Sequence, residues 1–457
     1  MTAENSPTNP FWLRYLSVSL RAKIEHRPNL LGILHNIAWL FSDKLLRMGV
    51  GLFVGVWVAR YLGPEDFGLF SFASAFVSVF GTLSTLGLQG IVVRDLVNDP
   101  KGSFETLGSS FVLQATGGII AFSLLIVLIP ILRPHDQSVL SIVAIIGLTL
   151  FFKGSESMKY WFESQVQSKY AVWAENLVFA VVVAVKIGLI LVGASLLAFV
   201  WTSFLEGLFT ALFILVAYEW VGGRIKVWRF SFARAKALLV HSWPLILSGF
   251  AVMVYMRIDQ IMLGQMLNDK AVGIYSAAVR ISESWYFIPV AIVGSVFPAL
   301  LDAKKTSEAF YIDRFQKLYD ALVIIALVVA IPVTFLAHQI VEVLFGHEYI
   351  EAGTILSIHI WTAVFVFLGF ASGRWLLAEN RQLLVFQRAF LGMVVNIALN
   401  YIWIPQYGGV GAAVATLLSQ AVAAFLFDVI HKETRLMFRM KLKACLLMRV
   451  FRVQYSA

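Results

Sequence analysis

The sequence predicts an all-α polytopic membrane protein with about twelve transmembrane helices. Hydrophobic residues make up 59% of the chain, charged residues only 14%, and the mean hydropathy is +0.80, which is far outside the range of soluble domains. The chain also contains about twelve apolar stretches of the length that a membrane-spanning helix needs, roughly 20 residues. A third observation is that lysine and arginine collect in alternate connections between these stretches.

Each apolar stretch ends at a turn or a charged segment, which sets its approximate limits. The first, second, seventh and eighth stretches are longer than the hydrocarbon core and require a tilted helix or protruding ends. The predicted spans run near residues 31–59, 67–93, 107–132, 138–152, 171–193, 195–218, 239–266, 271–300, 317–337, 352–377, 385–404 and 409–430.

The distribution of positive charge predicts the orientation of the chain. If the N-terminus is cytoplasmic, the terminal segments and connections on that side hold 26 lysines and arginines. The other side holds only Arg60, Arg133 and Lys270. This positive-inside pattern predicts that both termini are cytoplasmic. The net charge of +9 therefore reflects membrane topology, and nucleic acid is not an expected partner.

The chain repeats itself about halfway along its length. LGPEDFGLFSFA at 62–73 matches LNDKAVGIYSAA at 267–278 in a polar turn followed by glycine, an aliphatic residue, an aromatic residue and serine. Six spans per half would send both halves into the bilayer in the same direction, as two six-helix lobes around a central cavity. The predicted organisation is an N-terminal cytoplasmic or interfacial segment (1–30), an N-lobe (31–218), a basic cytoplasmic linker (219–238), a C-lobe (239–430) and a basic cytoplasmic tail (431–457).

Seven cations lie inside the predicted spans. A charge at the bilayer centre costs about 2.5–3.5 kcal/mol on insertion scales, so such charges normally face a partner or a water-filled path. The five deep cations are Lys44, Arg47, Lys186, Arg257 and Arg280. Arg374 and Arg388 lie nearer helix ends and are expected to snorkel to the inner interface. The pattern indicates a polar cavity through the membrane, and therefore transport.

Pairing along single helices is the alternative explanation for part of this set. Asp43 and Arg47 are spaced i,i+4, and Arg280 and Glu283 are spaced i,i+3, so each pair can meet on one helix face. Arg47 and Arg280 thus remain open between pairing and substrate contact. The cations without a local partner, which we prefer as substrate contacts, are Lys44, Lys186 and Arg257.

Three acids lie at mid-membrane depth and are candidates for ion coupling: Glu206, Asp259 and Glu283. A carboxyl group in a low dielectric can exchange protons near neutral pH, although simple ion pairing is the alternative role for each. The sequence has no metal-ligand spacing and no phosphate-binding P-loop, so we expect no metal, no cofactor, no catalytic residue and no ATP hydrolysis.

The stretch VNIALNYIWIPQYGGVGAAVATLLSQ at 395–420 resembles a motif of bacterial polysaccharide flippases of the Wzx type. VARYLGPEDFGLFSFA at 58–73 and LFGHEYIEAGTIL at 344–356 resemble the same family. Gln420 departs from the family's pattern, in which an acid follows the serine. The elements of the motif at 395–420 are Asn396, Leu399-Asn400, Ile404-Pro405, Gly408, Gly411-Ala412-Ala413 and Ala415-Thr416.

The resemblance implies a transporter, not an enzyme, of the multidrug, oligosaccharidyl-lipid and polysaccharide exporter superfamily. Its implied substrate is a polyprenyl-diphosphate-linked oligosaccharide, flipped by alternating access from the inner to the outer leaflet of the bacterial inner membrane for O-antigen or exopolysaccharide synthesis. Other implied partners are membrane lipids, a proton or sodium ion, and the polysaccharide polymerase machinery.

Two other functions are weighed against flipping. A cation-coupled multidrug exporter of the same superfamily could work with acids alone, so the basic residues in the spans favour flipping. A membrane-embedded glycosyltransferase or polymerase would be expected to carry a long extramembrane loop with paired acids, and no connection in this chain is long enough.

Overall fold

A computed structural model describes residues 28–134, 136–379 and 381–446, and for residues 28–46 it describes only the helical backbone. Within these ranges the chain is almost entirely helical and has no strand. The α-helices are α1 (Pro28–Thr85), α2 (Gln89–Asn98), α3 (Ser103–Leu132), α4 (Gln137–Gly147), α5 (Glu156–Ser164), α6 (Lys169–Leu191), α7 (Leu196–Trp220), α8 (Phe232–Met266), α9 (Asp269–Glu283), α10 (Phe287–Thr306), α11 (Glu308–Phe345), α12 (Ala352–His359), α13 (Thr362–Ala378), α14 (Gln382–Ala421), α15 (Phe427–Ile430) and α16 (Arg435–Cys445).

The described part of the chain contains 10 helical segments that are long and apolar enough to cross a membrane. Two of them pass through a glycine whose backbone is not helical: Gly63 in α1 (φ 74°, ψ 170°) and Gly408 in α14 (φ 56°, ψ −134°). Only glycine adopts such angles readily, so each long helix breaks there. The breaks lie at the turns predicted after the first and the eleventh spans. The all-α membrane fold is confirmed, while the number of crossings and the side of each terminus stay predictions.

The two halves of the chain share their largest buried apolar cluster. Val56 and Phe72 from α1 belong to it, as do Tyr275 from α9 and Val341 from α11. Helix α1 packs mainly on α8 and α9, and α8 also packs along α14. Helix α1 therefore packs directly on the second half of the chain. A cavity between the two halves would then be lined by α1.

The closest approach between the halves joins the two copies of the sequence repeat. A Cβ on Gly68 would overlap the backbone carbonyl of Asp269, and a Cβ on Gly273 would overlap the carbonyl of Pro64. Gly68 and Gly273 occupy equivalent positions in the repeat. The two glycines therefore let α1 and α9 cross in reciprocal backbone contact.

An arginine reinforces this crossing. Arg133, which follows α3, donates to Asp269 at 2.7 Å and to the carbonyl of Gly264 at 2.7 Å, and its guanidinium stacks on Phe72 with 4.2 Å to the ring centroid. We refer to Gly68, Gly273, Arg133 and Asp269 as the repeat contact. It holds the two halves together at one end of the bundle.

The basic segment between α7 and α8 is ordered against the first half. The backbone N–H of Arg229 donates to the carbonyl of Phe104 at 3.2 Å, and Arg234 Nε donates to Thr106 Oγ1 at 2.8 Å. Arg234 also lies 3.9 Å from Asp95. The segment predicted as a linker, 219–238, thus contacts α2 and α3, and its role as a cytoplasmic linker stays a prediction.

The C-terminal helix α16 lies within the predicted tail 431–457, of which residues 447–457 lie outside the described residues. Gln316 in α11 donates to the carbonyl of Met440 at 2.9 Å. Lys441 is fully buried and donates to Asp428 and to the carbonyl of Ala424, both at 2.6 Å. Helix α16 is therefore packed into the bundle. Most of the predicted N-terminal segment, residues 1–27, is likewise outside the described residues.

Candidate functional site

A cavity of about 480 Å³ lies between α1 on one side and α8 and α9 on the other. We call it the central cavity. Both parts of α1, before and after Gly63, contribute to its wall. Its charged lining residues within the described chain are Arg257, Arg280 and Glu283, so two cations face one anion. This net positive charge makes the central cavity the candidate binding site.

Arg257 and Glu283 form an ion pair across two helices. Arg257 Nη2 in α8 lies 3.2 Å from Glu283 Oε2 in α9, and both side chains are about three-quarters buried, with 28% and 21% of their surface exposed. Of the two alternatives left open for Arg280, helix-local pairing with Glu283 is not found, because Glu283 is paired with Arg257 on the neighbouring helix. Arg257, predicted to lack a partner along its own helix, has one across the groove between α8 and α9.

Arg280 reaches from α9 to the backbone of α1. Its Nη2 donates to the carbonyl of Gly51 at 3.3 Å, and a Cβ on Gly55 would overlap its guanidinium. No carboxylate among the described side chains lies within ion-pairing distance of Arg280. Gly55 therefore leaves space for the guanidinium of Arg280. This guanidinium lines the cavity, and no described carboxylate pairs with it.

The cavity is also lined by neutral polar side chains from all three helices, among apolar residues such as Phe67 and Phe70. Ser71, Ser74 and Ser78 follow one face of α1 after Gly63, and Gln260 and Ser276 face the cavity from α8 and α9. The hydroxyl of Ser276 is buried and has no hydrogen-bond partner within the described structure. The cavity thus offers hydroxyl and amide groups beside its arginines, a combination suited to a substrate that is both anionic and hydroxylated.

Two of the predicted cavity cations do not line the cavity. Arg47 Nη1 lies 3.0 Å from Glu175 in α6, which also pairs with Lys159 at 2.7 Å. Lys186 in α6 lies 3.8 Å from Glu206 in α7. These ion pairs could not be predicted from spacing along one helix, because each acid lies on a different helix from its cation. The Lys44 side chain, and that of Asp43, lie outside the described side chains.

Asp259 is buried behind the central cavity and does not line it. Its carboxylate accepts hydrogen bonds from Tyr275 at 2.7 Å, and from Asn400 and Thr416 at 2.5 Å each. Asn396 donates no hydrogen bond within the described structure, and its Oδ1 accepts from Asn400. The polar residues of the motif at 395–420 therefore surround one acid. Two asparagines spaced i,i+4 in an apolar helix were the signal in the sequence for this cluster.

Arg388 is held against the neighbouring helix α13, and its snorkelling to the interface stays a prediction. Its Nη1 donates to Ser372 Oγ at 3.2 Å and its Nη2 to the carbonyl of Gly369 at 3.4 Å, so it points into the bundle against α13. Arg374 is exposed near the end of α13, and its predicted snorkelling stays a prediction.

Comparison with known families gives two matches. The family model described as "Polysaccharide biosynthesis protein" matches residues 33–304, and the MatE model matches residues 244–402. Among curated proteins, the probable low-salt glycan biosynthesis flippase Agl15 of Haloferax volcanii is 24% identical over 85% of this chain and 80% of its own length. The capsular polysaccharide biosynthesis protein CapF of Staphylococcus aureus is 20% identical over 87% of this chain and 99% of its own length.

Solved structures share the fold. The lipid II flippase MurJ in an inward closed conformation superposes with a TM-score of 0.67 at 14% identity, covering 91% of this chain and 92% of that one. An inward-facing multidrug resistance MATE family transporter of the MOP superfamily superposes with a TM-score of 0.65 at 16% identity, covering 91% and 96%. At these identities the likeness concerns the fold alone.

Proposed function

This chain belongs to the polysaccharide biosynthesis protein family, and from that premise we propose that it flips polyprenyl-diphosphate-linked oligosaccharides from the inner to the outer leaflet of the bacterial inner membrane. The observation that carries the proposal is Arg280, a cation without a local carboxylate partner in a cavity that also presents neutral hydroxyl groups. The names of the relatives describe flippases, which accords with a transporter that makes or breaks no covalent bond.

The diphosphate is the part of the substrate that needs a cation. A guanidinium binds phosphate oxygens through two parallel hydrogen bonds, and Arg280 already donates to only a weak neutral acceptor at 3.3 Å. Arg257 is held by Glu283 at 3.2 Å and can exchange this carboxylate for a phosphate when the substrate enters. The exchange leaves the net charge of the described lining at +1, so Arg280, which has no carboxylate partner, supplies most of the attraction for the diphosphate.

The sugar is the part that needs neutral hydrogen bonds. Ser71, Ser74 and Ser276 can exchange hydrogen bonds with sugar hydroxyls, because a hydroxyl both donates and accepts. A volume of about 480 Å³ lies in the usual range for ligand pockets. The polyprenyl chain would stay in the bilayer while the head group crosses.

The repeat contact supports the proposal of alternating access. It closes the end of the bundle near Asp269, and the positive-inside pattern assigns that end to the outer side. We therefore propose that this conformation is the inward-facing state, with 31–218 and 239–430 as the two lobes that rock about α1, α8 and α9. Residues 219–238 would connect them on the cytoplasmic side.

We propose Asp259 as the residue that couples transport to an ion. Its carboxylate accepts from the hydroxyls of Tyr275 and Thr416 and from the amide nitrogen of Asn400, whose own oxygen has no partner within the described structure. These oxygens are the ligands that hard cations such as sodium prefer. Within the same proposal, the alternative coupling ion is a proton that binds to the carboxyl group of Asp259. Glu283 forms an ion pair with Arg257, and Glu206 forms one with Lys186, so both are weaker candidates for ion coupling.

The central experiment compares Arg280→Gln with Arg280→Lys in proteoliposomes. We expect the glutamine variant to reduce flipping of a fluorescent polyprenyl-diphosphate oligosaccharide by about tenfold or more, which is the loss of one charged hydrogen bond worth roughly 1.5–3 kcal/mol. The lysine variant should retain part of the rate because it keeps the charge. Lys305→Gln is the control, since Lys305 is 80% exposed and pairs only with Asp302.

Equal flipping by wild type and Arg280→Gln would overturn the role of Arg280. The second candidate function, a cation-coupled drug exporter, is favoured by the MatE match at residues 244–402. It predicts a different outcome in the same vesicles, namely export of cationic dyes with no movement of the labelled lipid.

The ion proposal is tested with Asp259→Asn, which keeps the size of the side chain and removes its charge. We expect wild-type flipping to respond to a sodium or pH gradient and the variant to lose that response. The matched control is Glu206→Gln, an acid outside the cluster. Retained gradient dependence in Asp259→Asn, together with its loss in Glu206→Gln, would transfer the coupling role to Glu206.

A further inference from the structure

A second cavity, of about 320 Å³, lies in the C-terminal half between α8, α13 and α14. We call it the α13–α14 cleft and define it by Tyr255, Phe370, Arg374, Arg388 and Gln420. It shares no lining residue with the central cavity. The cleft is therefore lined by a different set of residues from those to which the proposed flipping assigns a role.

The wall of the cleft is mostly apolar and reaches the surface of the protein. Met256, Val366 and Val385 contribute to it, together with Phe370 and Leu377. Phe370 and Leu377 are 40% and 39% exposed although they lie in an apolar segment long enough to cross the membrane. The cleft thus opens at the surface of the described structure, along a segment long enough to cross the membrane.

Two guanidinium groups lie at one end of this apolar wall. Arg388 is turned toward α13 by its hydrogen bonds to Ser372 and to the carbonyl of Gly369. A Cβ on Gly373 would lie 3.5 Å from Arg388 Nη2, so the guanidinium rests against the turn of α13 that carries Arg374. Arg374 itself makes no hydrogen bond or ion pair to any described residue.

The charge of these arginines is not balanced by their surroundings. The lining residues that the structure describes include no aspartate or glutamate. Asp428 and Lys441 lie near Arg388, but they pair with each other at 2.6 Å and contribute no net charge. The cleft therefore carries an excess of two positive charges beside an apolar wall.

The depth of the arginines matches that of a lipid phosphate. Arg374 lies four residues before the end of α13 at Ala378, and Arg388 lies six residues after the start of α14 at Gln382, or roughly 6 and 9 Å along the helix axes. The connection between these helices carries Arg381, which the charge pattern assigns to the cytoplasmic side. Anionic lipids are enriched in that leaflet and are attracted by basic pockets between helices.

We propose that the α13–α14 cleft binds an anionic phospholipid of the inner leaflet. The phosphate contacts Arg374 and Arg388, and an acyl chain follows Met256, Val366 and Phe370. An inorganic anion would satisfy the arginines but leave the apolar wall uncovered, and a neutral lipid would do the reverse. Only an anionic amphiphile complements both parts of the cleft.

The test measures lipid binding to the purified full chain and uses no transport assay, so its outcome is independent of the proposed flipping. Phosphatidylglycerol, phosphatidylcholine, inorganic phosphate and polyprenyl phosphate are added to the protein in neutral detergent, and the shift in Tm and the lipid retained in native mass spectrometry are recorded. We expect phosphatidylglycerol to raise Tm in the wild type but not in the double variant Arg374→Gln/Arg388→Gln, which should bind it at least tenfold more weakly, and phosphatidylcholine to have little effect. Any Tm shift with inorganic phosphate or polyprenyl phosphate, which the central cavity can also bind, should persist in the double variant.

Arg374→Gln alone provides a second variant, because Arg374 has no partner in the described structure and its loss should leave the fold intact. Lys305→Gln, an exposed cation distant from the cleft, should bind phosphatidylglycerol as the wild type does. Unchanged binding in both arginine variants would overturn the proposal. A Tm shift of equal size with inorganic phosphate that is lost in the double variant, or displacement of phosphatidylglycerol by polyprenyl phosphate at equal concentration, would also overturn it, by assigning the cleft to a soluble anion or to the cargo lipid.

Discussion

Lys441 is a fully buried cation, and its neighbours illustrate what holds a charge inside this bundle. It donates to the carboxylate of Asp428 and to the carbonyl of Ala424, which belongs to a π-helical turn at Val422–Leu426. Such a turn displaces carbonyls from the regular helix pattern. Arg257 and Lys186 are likewise paired with acids on neighbouring helices. At the scale of residues, these charges are compensated across helices.

Lys441 gives a pH-dependent prediction. Burial lowers the pKa of Lys441 from 10.5 to about 8, and the carboxylate of Asp428 opposes that decrease. The unfolded chain therefore binds more protons than the folded chain between pH 8 and 10.5, so the free energy of unfolding rises with pH across this window. We expect Tm to increase from pH 8 to pH 10 in the wild type and this increase to be absent from Lys441→Met.

The control for this measurement is Lys443→Met, an exposed lysine on the same helix. It should show the wild-type pH dependence. At pH 7, Lys441→Met leaves Asp428 buried without a partner and should be less stable, by several kcal/mol. Adding Asp428→Asn should recover most of this loss. An identical pH dependence in Lys441→Met and the wild type would refute the assignment.

At the scale of helices, glycine decides where long apolar segments break and where they touch. Gly63 and Gly408 interrupt α1 and α14 with angles that other residues avoid. Gly68 and Gly273 allow α1 and α9 to cross in backbone contact. Small residues at helix crossings are the usual means of close packing in membranes, where apolar surfaces gain little from leaving lipid.

Gly273→Ala tests this crossing. The added methyl group would overlap the carbonyl of Pro64, so the helices must separate, and overpacking of this kind costs about 1–3 kcal/mol. We expect a lower Tm in detergent. The matched control is Gly188→Ala in α6, where nothing lies within 4 Å of the new methyl group and helix propensity should improve by up to about 1 kcal/mol. Equal Tm values for the two variants would contradict a tight crossing at Gly273.

At the scale of the whole molecule, the two halves are held at one end and enclose a cavity beside it. The repeat contact combines a backbone crossing with the ion pair of Arg133 and Asp269. Tyr349 adds a hydrogen bond to the carbonyl of Ala59 at 2.6 Å. A transporter that alternates must break these contacts to open that end, so their strength sets the population of the two states.

Arg133→Gln should shift this population. The charged hydrogen bonds to Asp269 are worth roughly 1.5–3 kcal/mol, so their loss changes the ratio of the two states by about tenfold or more. Spin labels at Val192 and His347, both highly exposed, in a Cys445→Ser background would report the distance between the halves. We expect a longer-distance population to appear in the variant.

The charge-exchanged pair Arg133→Asp/Asp269→Arg is the control for this experiment. It restores opposite charges at the same positions and should return the distances toward those of the wild type. If Arg133→Gln leaves the distance distribution unchanged, the ion pair does not contribute to closing this end.

The sequence by itself determined the membrane fold, the approximate spans and the internal repeat. These features depend on composition and on local order along the chain: apolar length predicts a span, and a glycine in a polar turn predicts a break. The resemblance also identified the family correctly, and the family match at residues 33–304 includes the stretch at 58–73 that contributed to it. The depth of Arg257 and Arg280 was enough to place both among the candidate cavity residues.

Only the tertiary structure decided which charges meet. Glu283 pairs with Arg257 instead of Arg280, Lys186 pairs with Glu206, and Arg388 turns inward to Ser372. Each of these contacts joins residues on different helices, and the rotation of one helix against another is set by packing along its whole length. A single sequence gives the height of a charge in the membrane, but its direction and its partner depend on which helix lies beside it.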